Sequence, residues 1–123
     1  MSWISLEIKE TIDEAIYAHS RWKTRLKNMI NSGQSDVPLK NIRDPHHCQF
    51  GQWLGSSTEA KKSKYYNEVI KLHVKFHEKA AEVAGLAISG QSESAKHKME
   101  IGSVFSKTSA KLVNILADWK GNL

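Results

Sequence analysis

The chain has 123 residues, 40% of them apolar and 25% charged, and carries a formal charge of +5 at pH 7. That length suits one domain with a modest core, and the composition excludes a disordered or fibrous chain. No apolar run approaches the ~18–20 residues of a membrane span, and no basic region leads into an apolar block, so a cytoplasmic protein without membrane insertion is expected. The lysines alternate with glutamate along helical stretches such as EVIKLHVKFHEKAAE, without a glycine-rich aromatic reading motif, which argues against a nucleic-acid partner. Lys64, Lys71, Lys75 and Lys79 read instead as one solvated helix face.

In chain order, the first predicted helix covers about residues 3–31. Ile8, Ile12, Ala15, His19, Trp22, Leu26 and Met29 follow alternating steps of four and three, the seam of a helix packed in a bundle. Gly33 is expected to stop it, and residues 34–44 read as a connecting loop. DPHHCQFGQWLGSS reads as a short helix capped by Asp44, with Pro45 and Cys48 in its first turn and Gly55 at its end. A third helix is predicted over 59–88, with Tyr66, Ile70, His73, His77, Ala80, Ala84 and Ile88 on one face. Tyr65, Val69, Leu72, Phe76 and Val83 widen its apolar stripe. After a break centred on Gly90, a last helix over 93–119 should bury Met99, Phe105, Leu112, Ile115, Leu116 and Trp119. The expected fold is all-α: a four-helix-bundle-like domain over 1–123, with three long helices and a short cysteine-bearing one.

Three histidines stand where apolar residues belong. His19 takes a seam position between Ala15 and Trp22, and His73 and His77 sit four apart on the predicted buried face, where two imidazoles can reach one ion. Each alone reads as a core histidine satisfied by a neighbour. Together they would each need a buried partner, and the sequence offers few obvious acidic ones. The single cysteine, Cys48, cannot form an internal disulfide, and adding it completes a Cys–His₃ set of the kind that holds zinc tetrahedrally. Thiolate and imidazole disfavour magnesium and calcium, and inward carboxylates for a di-iron bundle are missing. His97 lies in a polar stretch and is expected on the surface. His46 and His47 point away from Cys48 on a short helix and are expected to be bystanders, the alternative being that one replaces a predicted ligand. Trp22 and Trp53 read as core anchors, and Gly51 as a point of close helix approach.

The residues HSRW (His19, Trp22), CQFGQWL (Cys48, Phe50, Gly51, Trp53, Leu54) and HVKFH (His73, His77) resemble the chemoreceptor zinc-binding domain family, in order and over nearly the whole chain. The cysteine element is the specific part. The resemblance implies a helical bundle binding one zinc ion per chain through His19, Cys48, His73 and His77. It also implies a sensory role in bacterial signalling of the chemotaxis or cyclic-di-GMP type, pairing as a homodimer, and perturbation of the cysteine by oxidants such as hypochlorous acid. Family members are attached to chemoreceptors or diguanylate cyclases and sometimes stand alone. With no signalling domain among the 123 residues, a stand-alone member or an isolated domain is expected. The alternative to sensing is a structural zinc staple in an interaction module. An enzyme is not expected, because Cys48 closes the fourth coordination position and no inward acid is placed as a base.

Overall fold

The computed structural model describes residues 3–123, and within them the chain forms eight α-helices and no strand. They are α1 (Trp3–Ser20), α2 (Trp22–Ser32), α3 (Leu39–Arg43), α4 (Gln49–Ser56), α5 (Thr58–Lys62), α6 (Tyr66–Ile88), α7 (Ser92–Lys98) and α8 (Val104–Gly121). Helix α6 is the axis of the assembly: α2, α3, α7 and α8 pack on it, and α1 closes against α8. No helix among the described residues is long and apolar enough to cross a membrane.

The predicted first helix is close to what forms. Arg21 separates α1 from α2, yet it keeps right-handed helical angles, donates its N–H to Tyr17 O and accepts from Arg25 N–H, both at 3.1 Å. The rod is therefore nearly continuous, and all seven seam residues from Ile8 to Met29 are buried. Gly33 ends it in the left-handed conformation, its N–H bonding Met29 O at 2.8 Å.

Four local expectations need correction. The segment 34–44 is not simply a loop: Pro38 leads into α3, which buries Ile42 completely against α6. Asp44 closes α3 rather than capping α4, and its Oδ1 accepts from His46 N–H at 2.9 Å. Helix α4 starts at Gln49 and runs through Gly55 to Ser56, which leaves Cys48 in the N-cap position and not in the first turn. The long helices predicted over 59–88 and 93–119 are each split. Ser57 starts α5 by accepting Ala60 N–H at 3.1 Å, and the chain turns extended at Ser63 before α6 begins. Gly102, at φ +91°, turns the chain out of α7 in a conformation that side chains with a Cβ disfavour, and Ser103 then caps α8 by accepting Ser106 N–H.

The buried stripe of α6 is also rotated from the expected one. His73, His77, Ala80 and Ala84 are buried, but Tyr66 and Ile70 are half-buried and Ile88 is 40% exposed, whereas Val69, Phe76 and Val83 are sealed. Of the residues predicted to be buried in the last helix, Met99 lies outside α8 and is half-buried, as is Ile115. Phe76 meets Phe105 of α8 at 5.5 Å between ring centroids, so α6 and α8 share one core with Leu112, Leu116 and Trp119.

Candidate metal centre

Three elements bring four side chains to one point. His19 stands near the end of α1, His73 and His77 one turn apart on α6, and Cys48 at the start of α4. Each imidazole is only 2% exposed. One potential ligand atom from each of the four residues lies within 4.8 Å of the other three. His73 Nε2 is the hub, at 3.2 Å from Cys48 Sγ, 3.1 Å from His19 Nε2 and 3.1 Å from His77 Nε2.

The outer nitrogens fix what these inner atoms present. His19 Nδ1 is 2.7 Å from Ala15 O, and His77 Nδ1 is 2.8 Å from Ile42 O. A carbonyl only accepts, so both Nδ1 atoms carry their protons, and both neutral rings turn an Nε2 lone pair inward. Sγ accepts Gly51 N–H at 3.4 Å, the bond that makes Cys48 the cap of α4. The inward lone pairs of His19 and His77 and the sulfur of Cys48 thus converge on His73 Nε2, which has at most one hydrogen to give. A shared cation satisfies all four at once; hydrogen bonds alone cannot.

Burial keeps these rings neutral. It pushes the pKa of His19 down to about 4 against the opposing pull of the Ala15 carbonyl. It pushes His73 down to about 2, with neighbouring His19 and His77 adding repulsion, and it lowers His77 as well. Burial likewise raises the Cys48 thiol, partly offset by the backbone N–H groups of Gly51 and Phe50. Without a cation the cysteine therefore holds its proton, and Sγ can donate towards Pro45 O at 3.5 Å.

The family model of the chemoreceptor zinc-binding domain matches residues 19–84. The chain belongs to this family. Comparison with curated proteins and with solved structures gives no match. The matched segment of this chemoreceptor zinc-binding domain opens on His19 and contains Cys48, His73 and His77. The donor set also fits the ion that the family description names. Zn–N bonds of ~2.0–2.1 Å and a Zn–S bond of ~2.3 Å put tetrahedral ligand atoms roughly 3.3–3.6 Å apart. The hub contacts of 3.1–3.2 Å are within a few tenths of that spacing.

Several supports of the domain's centre were not visible in its sequence. The carbonyls of Ala15 and Ile42 orient two imidazoles, and backbone acceptors leave no side-chain signature. Gly51 was read as a point of close helix approach, and the contact is more specific than that. A Cβ there would collide with Pro45 O and lie 3.1 Å from His73 Cε1, so the loop carbonyl, more than the neighbouring helix, demands glycine. Phe50 meets the edge of His73 at 5.3 Å and stacks on Trp53 at 5.7 Å, which in turn reaches Trp119 of α8. Trp22 is buried and Trp53 half-buried. His46 and His47 are exposed and stay outside the group, and His97 is on the surface, 2.9 Å from Glu100.

Proposed function

We propose that this chain binds one zinc ion through His19, Cys48, His73 and His77, and that the site is a sensory element of bacterial signalling. The observation that carries the reading is the convergence of two inward imidazole lone pairs and the Cys48 sulfur on His73 Nε2, an arrangement that one shared cation satisfies. When bound, zinc supplies a Lewis acid that keeps the cysteine as thiolate. His19 and His77 contribute rings already locked in the correct tautomer by Ala15 O and Ile42 O. Cys48 contributes the only anionic donor, from the one element that reaches the site by its cap.

Helix α4 is the part whose position would report the state of the site. Phe50, Leu54 and the Tyr66 hydroxyl, which donates to Leu54 O at 3.1 Å, hold its body to the bundle. Its start is tied through Sγ. Zinc loss leaves a protonated thiol beside three lone pairs. Oxidation by hypochlorous acid transfers oxygen to the thiolate and releases chloride, leaving a neutral sulfenic acid that is a poorer donor. Either change loosens the α4 start. A homodimer in the cytoplasm, coupled to a chemoreceptor or diguanylate cyclase, is the setting that this reading favours.

Metal content of the purified protein and its single variants tests the site. One zinc per chain, lost in Cys48→Ala, His73→Ala and His77→Ala but kept in His46→Ala, His47→Ala and His97→Ala, is expected. Full-affinity zinc in His19→Ala sinks the four-ligand site. Sensing is read separately, as zinc release by stoichiometric oxidant and exchange on a timescale of minutes. A site that does neither is a structural staple.

A further inference from the structure

The ligand cluster is not sealed on all sides. A cleft of about 500 Å³ reaches both Cys48 and His77, and its walls carry Arg21, Arg25, Trp22 and Asp36. The Arg25 guanidinium lies 3.8 Å from the centre of the Trp22 ring, which holds it along the wall, and Asp36 stands 3.8 Å from it. Arg21 lies 5.6 Å from the centre of the Tyr17 ring, and no ion pair to it is formed among the described residues. A second cleft of about 300 Å³ also reaches Cys48, but Glu14 lines it and the rest of its wall is largely apolar. Two clefts therefore reach the same residue, one with two guanidiniums and a single carboxylate on its walls and one with a carboxylate alone.

We infer that the Arg21/Arg25 cleft is the entry route by which small anionic molecules reach Cys48, and that the two guanidiniums set a preference for anions over neutral or cationic molecules of the same size. The inference deepens the proposed zinc site, since it says which chemical class gains access to the exchangeable corner. Attraction over distances within a Debye length of about 8–10 Å raises the local concentration of an anion, and the Glu14 side opposes it. Two kinds of anion share this chemistry: thiol-reactive electrophiles and zinc-chelating thiols.

Matched reagents separate charge from reactivity. In the metal-free protein at low salt, the thiolate displaces iodide from iodoacetate or iodoacetamide, forming a C–S bond and releasing I⁻ in both cases. The ratio of the two rates cancels the thiolate fraction and leaves the effect of reagent charge. Arg21→Gln combined with Arg25→Gln is expected to lower the iodoacetate preference about two- to fivefold, with the difference shrinking in high salt. Glu14→Gln, which removes the opposing carboxylate, is expected to leave the iodoacetate preference unchanged or to raise it, not to lower it. In the zinc-loaded protein, release by 2-mercaptoethanesulfonate against cysteamine is the second arm. A shift in the alkylation arm alone assigns the route to thiol-reactive anions, and a shift in both extends it to anionic chelators. Unchanged ratios in both arms, or an equal lowering in Glu14→Gln, overturn the inference. Zinc stoichiometry on the same samples reports the metal site independently, so loss of one reading does not mask the other.

Discussion

The imidazole of His77 and the carbonyl of Ile42 are joined by a 2.8 Å hydrogen bond, with Nδ1–H as donor. The bond crosses from α6 to α3, a five-residue helix whose one buried side chain is Ile42 itself. The same residue therefore anchors α3 by its side chain and orients a candidate ligand by its backbone. Truncating that side chain should disturb both. Ile42→Ala is expected to cost about 2–5 kcal/mol of stability through the cavity it leaves. The carbonyl itself is kept, so zinc binding should weaken only as far as α3 shifts, by at most roughly the 10- to 100-fold that loss of an orienting partner costs. Urea unfolding of the metal-free protein measures the first, and competition with a chromophoric chelator the second. Unaltered zinc affinity would show that the carbonyl keeps its place without the Ile42 side chain.

Glycine substitution separates two positions on α4 that look alike in sequence. At Gly51 an added methyl collides with Pro45 O, whereas at Gly55 nothing lies within 4 Å. Gly51→Ala should therefore displace the loop that carries Cys48, with lower thermal stability and loss of high-affinity zinc. Gly55→Ala should be neutral or stabilising by up to about 1 kcal/mol, the helix-propensity gain. Thermal melts with and without zinc compare the two.

Acid should destabilise the metal-free protein in a defined window. Burial holds His19 near 4 and His73 near 2, below the ordinary value of 6.5, so the unfolded chain binds protons that the folded one refuses. Stability from this source is fully present above about pH 6.5 and is lost as pH falls from there towards 4. Urea midpoints of chelator-treated protein across that range check the slope. A flat profile would mean that the rings are solvated in the metal-free state.

Zinc should stabilise the fold by mass action. At about a thousandfold excess over the dissociation constant, the gain is about 4 kcal/mol, and the melting temperature should depend on free zinc. In His73→Ala the hub is gone, and the same titration should leave the melting temperature unmoved. Calorimetry with buffered zinc gives both curves.

Much of this arrangement was legible in the sequence because apolar periodicity survives wherever a helix is long. The steps from Ile8 to Met29 located His19, and the stripe through Ala80 and Ala84 located His73 and His77. Short elements left no such period. Helix α3 offers one fully buried apolar residue, Ile42, and one half-buried one, Leu39, which is too little for a pattern. The break after Lys62 carries no proline or glycine, only a serine that turns extended. The break at Gly102–Ser103 did carry a signal, a glycine followed by a capping serine, but it lay between Met99 and Phe105, both of which read as buried positions of one helix. Cys48 stands at the helix cap, four positions nearer the helix start than a cap at Asp44 implies, because Asp44 closes α3 instead.

The spacing of the four side chains also sets an order of assembly. His73 and His77 are four positions apart, Cys48 is 25 from His73, and His19 is 54 from His73. The pair on α6 comes together as soon as one helical turn forms. The cysteine requires a moderate loop to close, and His19 requires the first rod to dock on α6, the most costly closure of the three. An ion can therefore be caught early by two imidazoles and acquire its remaining ligands as the chain folds around it. Synthesis in zinc-poor and zinc-replete conditions would then yield different folding rates, as well as different final stabilities.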